Sequence, residues 1–351
     1  MPKRSGSGWK AVTLVLLCLL VISLYSNLKH LFGGGSHSSL PTRAGVPRLE
    51  ETVIEDNDTT NKIAVIEVEG IITSQFERGG YTMVELIQDE LKVAARDKRV
   101  KAVILKVNSP GGEVLASDDI NKAIIKFQQD SGKPVVAAMG SLAASGGYYV
   151  SAPCRWIVAN ELTITGSIGV IMSTYNYRGL MDKIGLRPEV FKSGKFKDML
   201  SGSKKEDEIT VEEKEMVQKL VDETFEKFKS VVADGRSFAN RQNKQTADAG
   251  GQSLTPKWTD YADGRVLSGK EAYKLGFVDE LGGWETAVSR AEKLAHIPKA
   301  TLVQYQQIFD ISSIFRLFGK SDTKGVKVDL GFDLPKLQAG HLYFLSGAYL
   351  H

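Results

Sequence analysis

The chain has 351 residues, 42% hydrophobic and 25% charged, which is enough for one large domain or two modest ones with a sizeable core. Its net charge of +3 is small and no basic stretch alternates with aromatics, so nucleic acid is not an expected partner. The two cysteines, Cys18 and Cys154, lie far apart and Cys18 sits in an apolar run, so the fold must rest on its core rather than on an internal disulfide.

Residues 11–28 carry no charge, with Trp9 and Tyr25 near the ends of the stretch. That is the length and composition of a transmembrane helix, which needs roughly 17–25 residues. Lys3, Arg4 and Lys10 precede it and no acidic residue appears before Glu50. The positive-inside rule therefore predicts a cytoplasmic tail over 1–10, a single-pass anchor over 11–28 in the cell membrane, and everything later on the extracytoplasmic side. A cleavable signal peptide is the competing reading, but Ser23–Asn27 offers no small-x-small cleavage site. Residues 29–61, rich in Gly, Ser and Pro and then acidic, read as a flexible linker that holds a folded domain off the membrane.

Regular structure is expected from Lys62. Ile63–Glu69 reads as a strand, Met83–Arg96 as an amphipathic helix, and Ala102–Val107 as a buried strand running into Asn108-Ser109-Pro110-Gly111-Gly112. A second amphipathic segment runs from Val114 to Phe127, and a strand from Pro134 to Met139. A run of small residues around Ser145 and a strand over Trp156–Ala159 come next. Alternation of this kind predicts an α/β fold with a mainly parallel sheet and flanking helices. Residues 160–200 read as loops. Thr210 and Glu213 predict a capping box that opens a long helix ending at Gly235. Ser268–Glu271 reads as another helix start, and Trp284–Leu294 as the last core helix. The folded domain is expected to end near residue 296, with 297–351 an extension outside the pattern.

A serine wrapped in alanine and glycine, as in Ala144-Ser145-Gly146-Gly147, suits either tight packing or a nucleophile whose substrate must reach backbone N–H donors. The histidines are His30, His37, His296, His341 and His351, and none lies between Lys62 and Leu294. A nucleophilic serine in this core would therefore need another base, and the known substitute is a lysine whose ammonium has been made less basic by burial. The candidates are Lys195 and Lys197 of Ser193-Gly194-Lys195-Phe196-Lys197-Asp198. Gly111 and Gly112 at the end of a strand, with Gly146 next to the serine, could supply the N–H groups of an oxyanion hole.

The order NSPGG, AASGGYY, TGSIGV, FKSGKFKD and DGRVLSGKEAYKLGFVDELGG over residues 62–294 resembles the signal peptide peptidase A family in its short, single-domain form. The resemblance implies a crotonase/Clp-protease-like fold and a serine endopeptidase. It implies Ser145 as nucleophile, Lys197 as general base, Gly112 and Gly146 as oxyanion donors, and Ser167 as the residue that orients the lysine. It also implies hydrolysis of hydrophobic signal-peptide remnants left in the membrane after secretion, by a homo-oligomeric ring with inward-facing sites. No metal or cofactor is called for. Two other readings compete: an acyl-CoA hydratase or isomerase on the same fold, which would have no need of Ser145 or Lys197, and a ring scaffold without chemistry.

Overall fold

A computed structural model describes residues 49–75, 81–245, 250–307 and 342–345. The expected cytoplasmic tail, the apolar stretch 11–28 expected as an anchor, and the expected linker as far as residue 48 lie outside the described residues. Among the described residues no helix is long and apolar enough to cross a membrane.

The centre is a parallel set of strands: β2 (Lys62–Glu69), β3 (Val100–Ser109), β5 (Val135–Ala144), β6 (Trp156–Ala159) and β9 (Glu280–Leu281). Strand β1 (Leu49–Glu55) and β10 (Thr301–Gln307) extend it, in the order β1-β10-β2-β3-β5-β6-β9, and β7 (Ile164–Gly166) and β8 (Val266–Ser268) branch from β5. A separate pair joins β4 (Gly111–Glu113) to β11 (Tyr343–Leu345).

Period-two alternation sorts the strand side chains onto two buried faces. Ala64, Ile66, Val68, Val103, Leu105 and Val107 face one side, where α1 (Met83–Arg96), α2 (Val114–Ser131), α3 (Gly146–Ser151) and the C-terminal half of α5 (Val211–Lys244) pack. Ile63, Ala102, Ile104, Val136 and Val158 face the other, against Ala287, Ala291 and Leu294 of α7 (Trp284–Leu294). Among the described residues the remaining α-helices are two short ones, α4 (Arg178–Lys183) and α6 (Gly269–Leu275). Capping sets several starts: Thr82 and Glu85 form a reciprocal box on α1, as Ser268 and Glu271 do on α6. At α5 only half the expected box exists. Thr210 accepts the Glu213 amide, but the Glu213 carboxylate turns to the Lys204 ammonium at 2.6 Å.

Four expectations change. Residues 49–55 are strand rather than linker: β1 pairs antiparallel with β10 and, being almost wholly exposed, has no apolar alternation to announce it. Residues 301–307 belong to the sheet, with Leu302, Val303 and Tyr305 buried between β1 and β2, so the domain does not end at 296. Helix α5 runs past Gly235, whose missing side chain serves close packing instead of a stop; a Cβ there would lie 2.5 Å from the Ala152 carbonyl oxygen. Strand β5 continues past Met139 to Ala144, so it delivers Ser145 directly.

Candidate active site

Strand β5 carries the site because it changes partner along its length. Its first half pairs with β6 through Val136–Ala138, and its last three residues pair with Ile164–Gly166 of β7. Between them the ladder to β3 slips, from Val107 opposite Met139 to Ser109 opposite Ala143. Asn108 fills the gap. Its side-chain oxygen accepts the Leu142 amide at 3.2 Å while its amide donates to Glu69 at 2.8 Å.

Ser145 occupies the turn between β5 and α3 at φ 54, ψ −115, a positive-φ conformation that non-glycine residues disfavour. The turn is held at both ends. The Ser145 amide donates to the Gly166 carbonyl at 2.8 Å, and its carbonyl accepts the Tyr149 amide at 2.8 Å. The side chain is fully buried, and its hydroxyl has no hydrogen-bond partner among the described residues. A buried polar atom left unpaired costs about 1–3 kcal/mol, so a reactive role is a reason to keep it.

The glycines meet the serine as the sequence required. A Cβ on Gly146 would lie 2.9 Å from the Gly111 Cα and 3.0 Å from the Gly112 nitrogen. Gly111 adopts φ +101, and a Cβ there would fall 2.6 Å from the Gly146 nitrogen. No side chain fits at either place, and the Gly112 and Gly146 amides sit side by side next to Ser145. Ser167, 4% exposed and at φ 51, directly follows Gly166, the acceptor of the Ser145 amide. The sequence offered Gly111 as an N–H donor; its φ of +101 adds that the position needs a glycine's backbone freedom.

Among the described residues no hydrogen bond joins the lysine segment to the Ser145 hydroxyl within one chain. Lys195 and Lys197 are both exposed. Lys195 pairs with Glu212 at 2.6 Å and lies over the Phe196 ring, Lys192 pairs with Asp198 at 2.6 Å, and Lys204 pairs with Glu213 at 2.6 Å. Lys197 is in none of these pairs, and the unpartnered Ser145 hydroxyl is out of its hydrogen-bond reach. Around the lysines runs a stretch of exposed apolar side chains, including Tyr175, Leu180, Ile184, Leu186 and Phe191.

A partnerless hydroxyl on a strained turn, with the Gly112 and Gly146 nitrogens close by, is compatible with acyl transfer. Residues 127–298 match the model of peptidase family S49. An Enterococcus faecium protein with the provisional name signal peptide peptidase SppA is 35% identical over 75% of this chain and 72% of its own length. A Methanocaldococcus jannaschii protein provisionally named a protease is 39% identical over 60% of this chain and 61% of its own. Protease 4 of Haemophilus influenzae is 31% identical over 81% of this chain, which spans 43% of that longer protein. The chain belongs to peptidase family S49 and is a serine peptidase.

Proposed function

We propose that this peptidase hydrolyses hydrophobic signal-peptide remnants left in the membrane after secretion, through a Ser145–Lys197 dyad. The observation that carries this is the buried, unpaired Ser145 hydroxyl beside the Gly112 and Gly146 amides. In the proposed cycle, the Lys197 amine takes the hydroxyl proton as Oγ attacks the scissile carbonyl, the two amides hold the oxyanion, and Ser167 orients the lysine. The fold is read as crotonase/Clp-protease-like. Residues 11–28 are read as a single-pass anchor in the cell membrane that keeps the extracytoplasmic domain where such remnants lie. The Enterococcus protein's name supports the substrate class.

Lys197 is exposed and makes no hydrogen bond to Ser145 within one chain, and several exposed apolar side chains precede it in sequence. We infer that copies assemble into a homo-oligomeric ring through this surface, bringing a Lys197 of one copy to the Ser145 of the next. A serine-directed fluorophosphonate should label wild type and Lys195→Ala but not Ser145→Ala or Lys197→Ala, with peptidase activity of the last down by about 10²–10⁴-fold. Mixing Ser145→Ala with Lys197→Ala chains should restore about a quarter of the sites by random placement in a ring. Labelling that survives Ser145→Ala would overturn the nucleophile. Full activity in Lys197→Ala with loss in Lys195→Ala would move the base, and no recovery on mixing would place both groups in one copy.

A further inference from the structure

Strand β5 outruns its neighbour β3 at one place. Val107 stands opposite Met139 and Ser109 opposite Ala143, so Asn108 alone on β3 faces Gly140, Ser141 and Leu142 on β5. Because the surplus is two residues (three less one), side-chain alternation survives it, and Met139 and Ala143 face the same buried layer. What changes is where the strand ends. Continued from Ala143 opposite Ser109, the register sets Ser145 level with Gly111. Continued from Met139 opposite Val107 with no surplus, it would set Ser145 level with Glu113, about 6–7 Å too far along. The bulge brings the serine turn to the glycines.

A bulge leaves backbone groups without ladder partners, and these must find others. The Leu142 amide donates to Asn108 Oδ1 at 3.2 Å, and the Gly140 carbonyl accepts the Thr163 hydroxyl at 2.8 Å. Asn108 also packs on the bulge, since a Cβ on Gly140 would lie 3.1 Å from that same oxygen. The asparagine is fixed in turn from the β2 side. Its backbone carbonyl accepts the Gly70 amide at 3.0 Å, and its Nδ2 donates to Glu69 Oε1 at 2.8 Å. An amide side chain can present either oxygen or nitrogen to a neighbour, whereas a carboxylate only accepts. Glu69 therefore keeps Nδ2 on its own side and leaves Oδ1 for Leu142.

We propose that Asn108 is a positioning residue of the peptidase, and that with Glu69 it forms a clamp that holds the Gly140–Leu142 bulge and so keeps Ser145 level with Gly111. The proposal rests on the reading of Ser145 as nucleophile. Asn108 acts through the β5 backbone, where only Ala143 and Ala144 separate the clamped Leu142 from Ser145. With the clamp released, the bulge can redistribute along β5, and Ser145 and the Gly146 amide shift together relative to the Gly112 amide. A substrate carbonyl attacked by Ser145 then meets one oxyanion donor out of place, a loss felt in kcat more than in KM.

The test exchanges donor and acceptor across the clamp. It uses the full chain in detergent micelles and reads kcat and KM on a hydrophobic peptide, the rate of fluorophosphonate labelling, and the melting temperature. Glu69→Gln alone should stay within about twofold of wild type, because the new amide oxygen still accepts from Asn108 Nδ2. Asn108→Asp sets a second carboxylate against Glu69, and should lower kcat and the labelling rate at least about tenfold with KM within about twofold. Asn108→Asp combined with Glu69→Gln should recover to within about threefold of wild type, since one new carboxylate oxygen takes the Leu142 amide and the other takes the new amide N–H. Asn108→Leu, which offers no acceptor, should stay low with or without Glu69→Gln. Full turnover in Asn108→Asp and Asn108→Leu overturns the proposal, as does a double variant no better than Asn108→Asp. A loss confined to KM, or turnover that simply tracks melting temperature across the series, overturns it too. Should Asn108→Asp fail to fold, the double variant decides: turnover near wild type upholds the clamp, and turnover near that of Asn108→Leu removes it. Wild type that labels at Ser145 through any of these failures leaves the nucleophile standing, and a wild type that takes no label overturns both readings.

Discussion

Ser145 is held in a backbone conformation that its own Cβ disfavours, at a cost on the order of 1–3 kcal/mol. Two 2.8 Å backbone bonds and a fully buried setting keep it there. A second residue works against its own chemistry in another way. Glu90, on the buried face of α1, has its carboxyl pushed up to about 8, first by burial and then by the charge of Glu67. An unfolded glutamate ionises near 4.3, so between that pH and about 8 the native chain holds a proton that the unfolded chain has released. The contribution to stability is complete at low pH and lost as pH rises towards 8. Glu90→Gln should remove this slope: from pH 5 to 8.5 wild type should lose on the order of 1–3 kcal/mol more than the variant, read from urea midpoints. An equal loss in both would refute the assignment. At this scale the close approach of the glycines to the Ser145 turn was legible, because small residues around a hydroxyl permit few arrangements. The sequence could not reveal that no hydrogen bond joins Lys197 to Ser145 within one chain, because a lysine's neighbours in space are not written in its neighbours along the chain.

Helix α5 shows how an element's pattern can be right in kind and wrong in extent. Helical spacing picks out Met216, Leu220, Val221, Phe225, Phe228 and Val232, yet of these only Phe228 and Val232 are buried; the buried stripe lies later, adding Val231, Gly235 and Ala239, and Leu220 stays exposed. Gly235 looked like a terminator because glycine commonly ends helices. Here it lets the helix backbone approach Ala152 at the end of α3, about two turns beyond Ser145. Gly235→Val should therefore cost about 1–3 kcal/mol by overpacking against Ala152 and depress activity as well, since α3 carries the Gly146 amide. Unchanged melting and turnover would show that the two helices can part freely. The edge strands were hidden for a related reason. β1 is bound by backbone pairing, with side chains mostly in water, so its residues had no reason to alternate. β10 was obscured by polar residues at Gln304 and Gln306, although its buried side chains alternate with them through Tyr305.

At the scale of the whole molecule, the site draws on segments that meet only because the sheet is parallel, so that β3 and β5 end on the same side. That much followed from strand–helix alternation. The return of residues 342–345 to β4 did not, since a short strand paired at a distance leaves no periodic trace. The change of partner along β5 has a consequence for how the molecule opens. The root of the strand is clamped between β3 and β6 deep in the sheet, while its tip depends on β7, whose other neighbour is the short β8. Opening free energy should therefore step down along a single strand. In native-state hydrogen exchange, the amides of Val136–Ala138 should open only with global unfolding, and the Ser145 amide, bonded to Gly166, with a smaller unit comprising β7 and β8. Equal protection from Val136 to Ser145 would contradict this. If the step is there, Ser145 rides on a locally releasable flap, so its alignment can be lost and regained without the sheet beneath it coming apart.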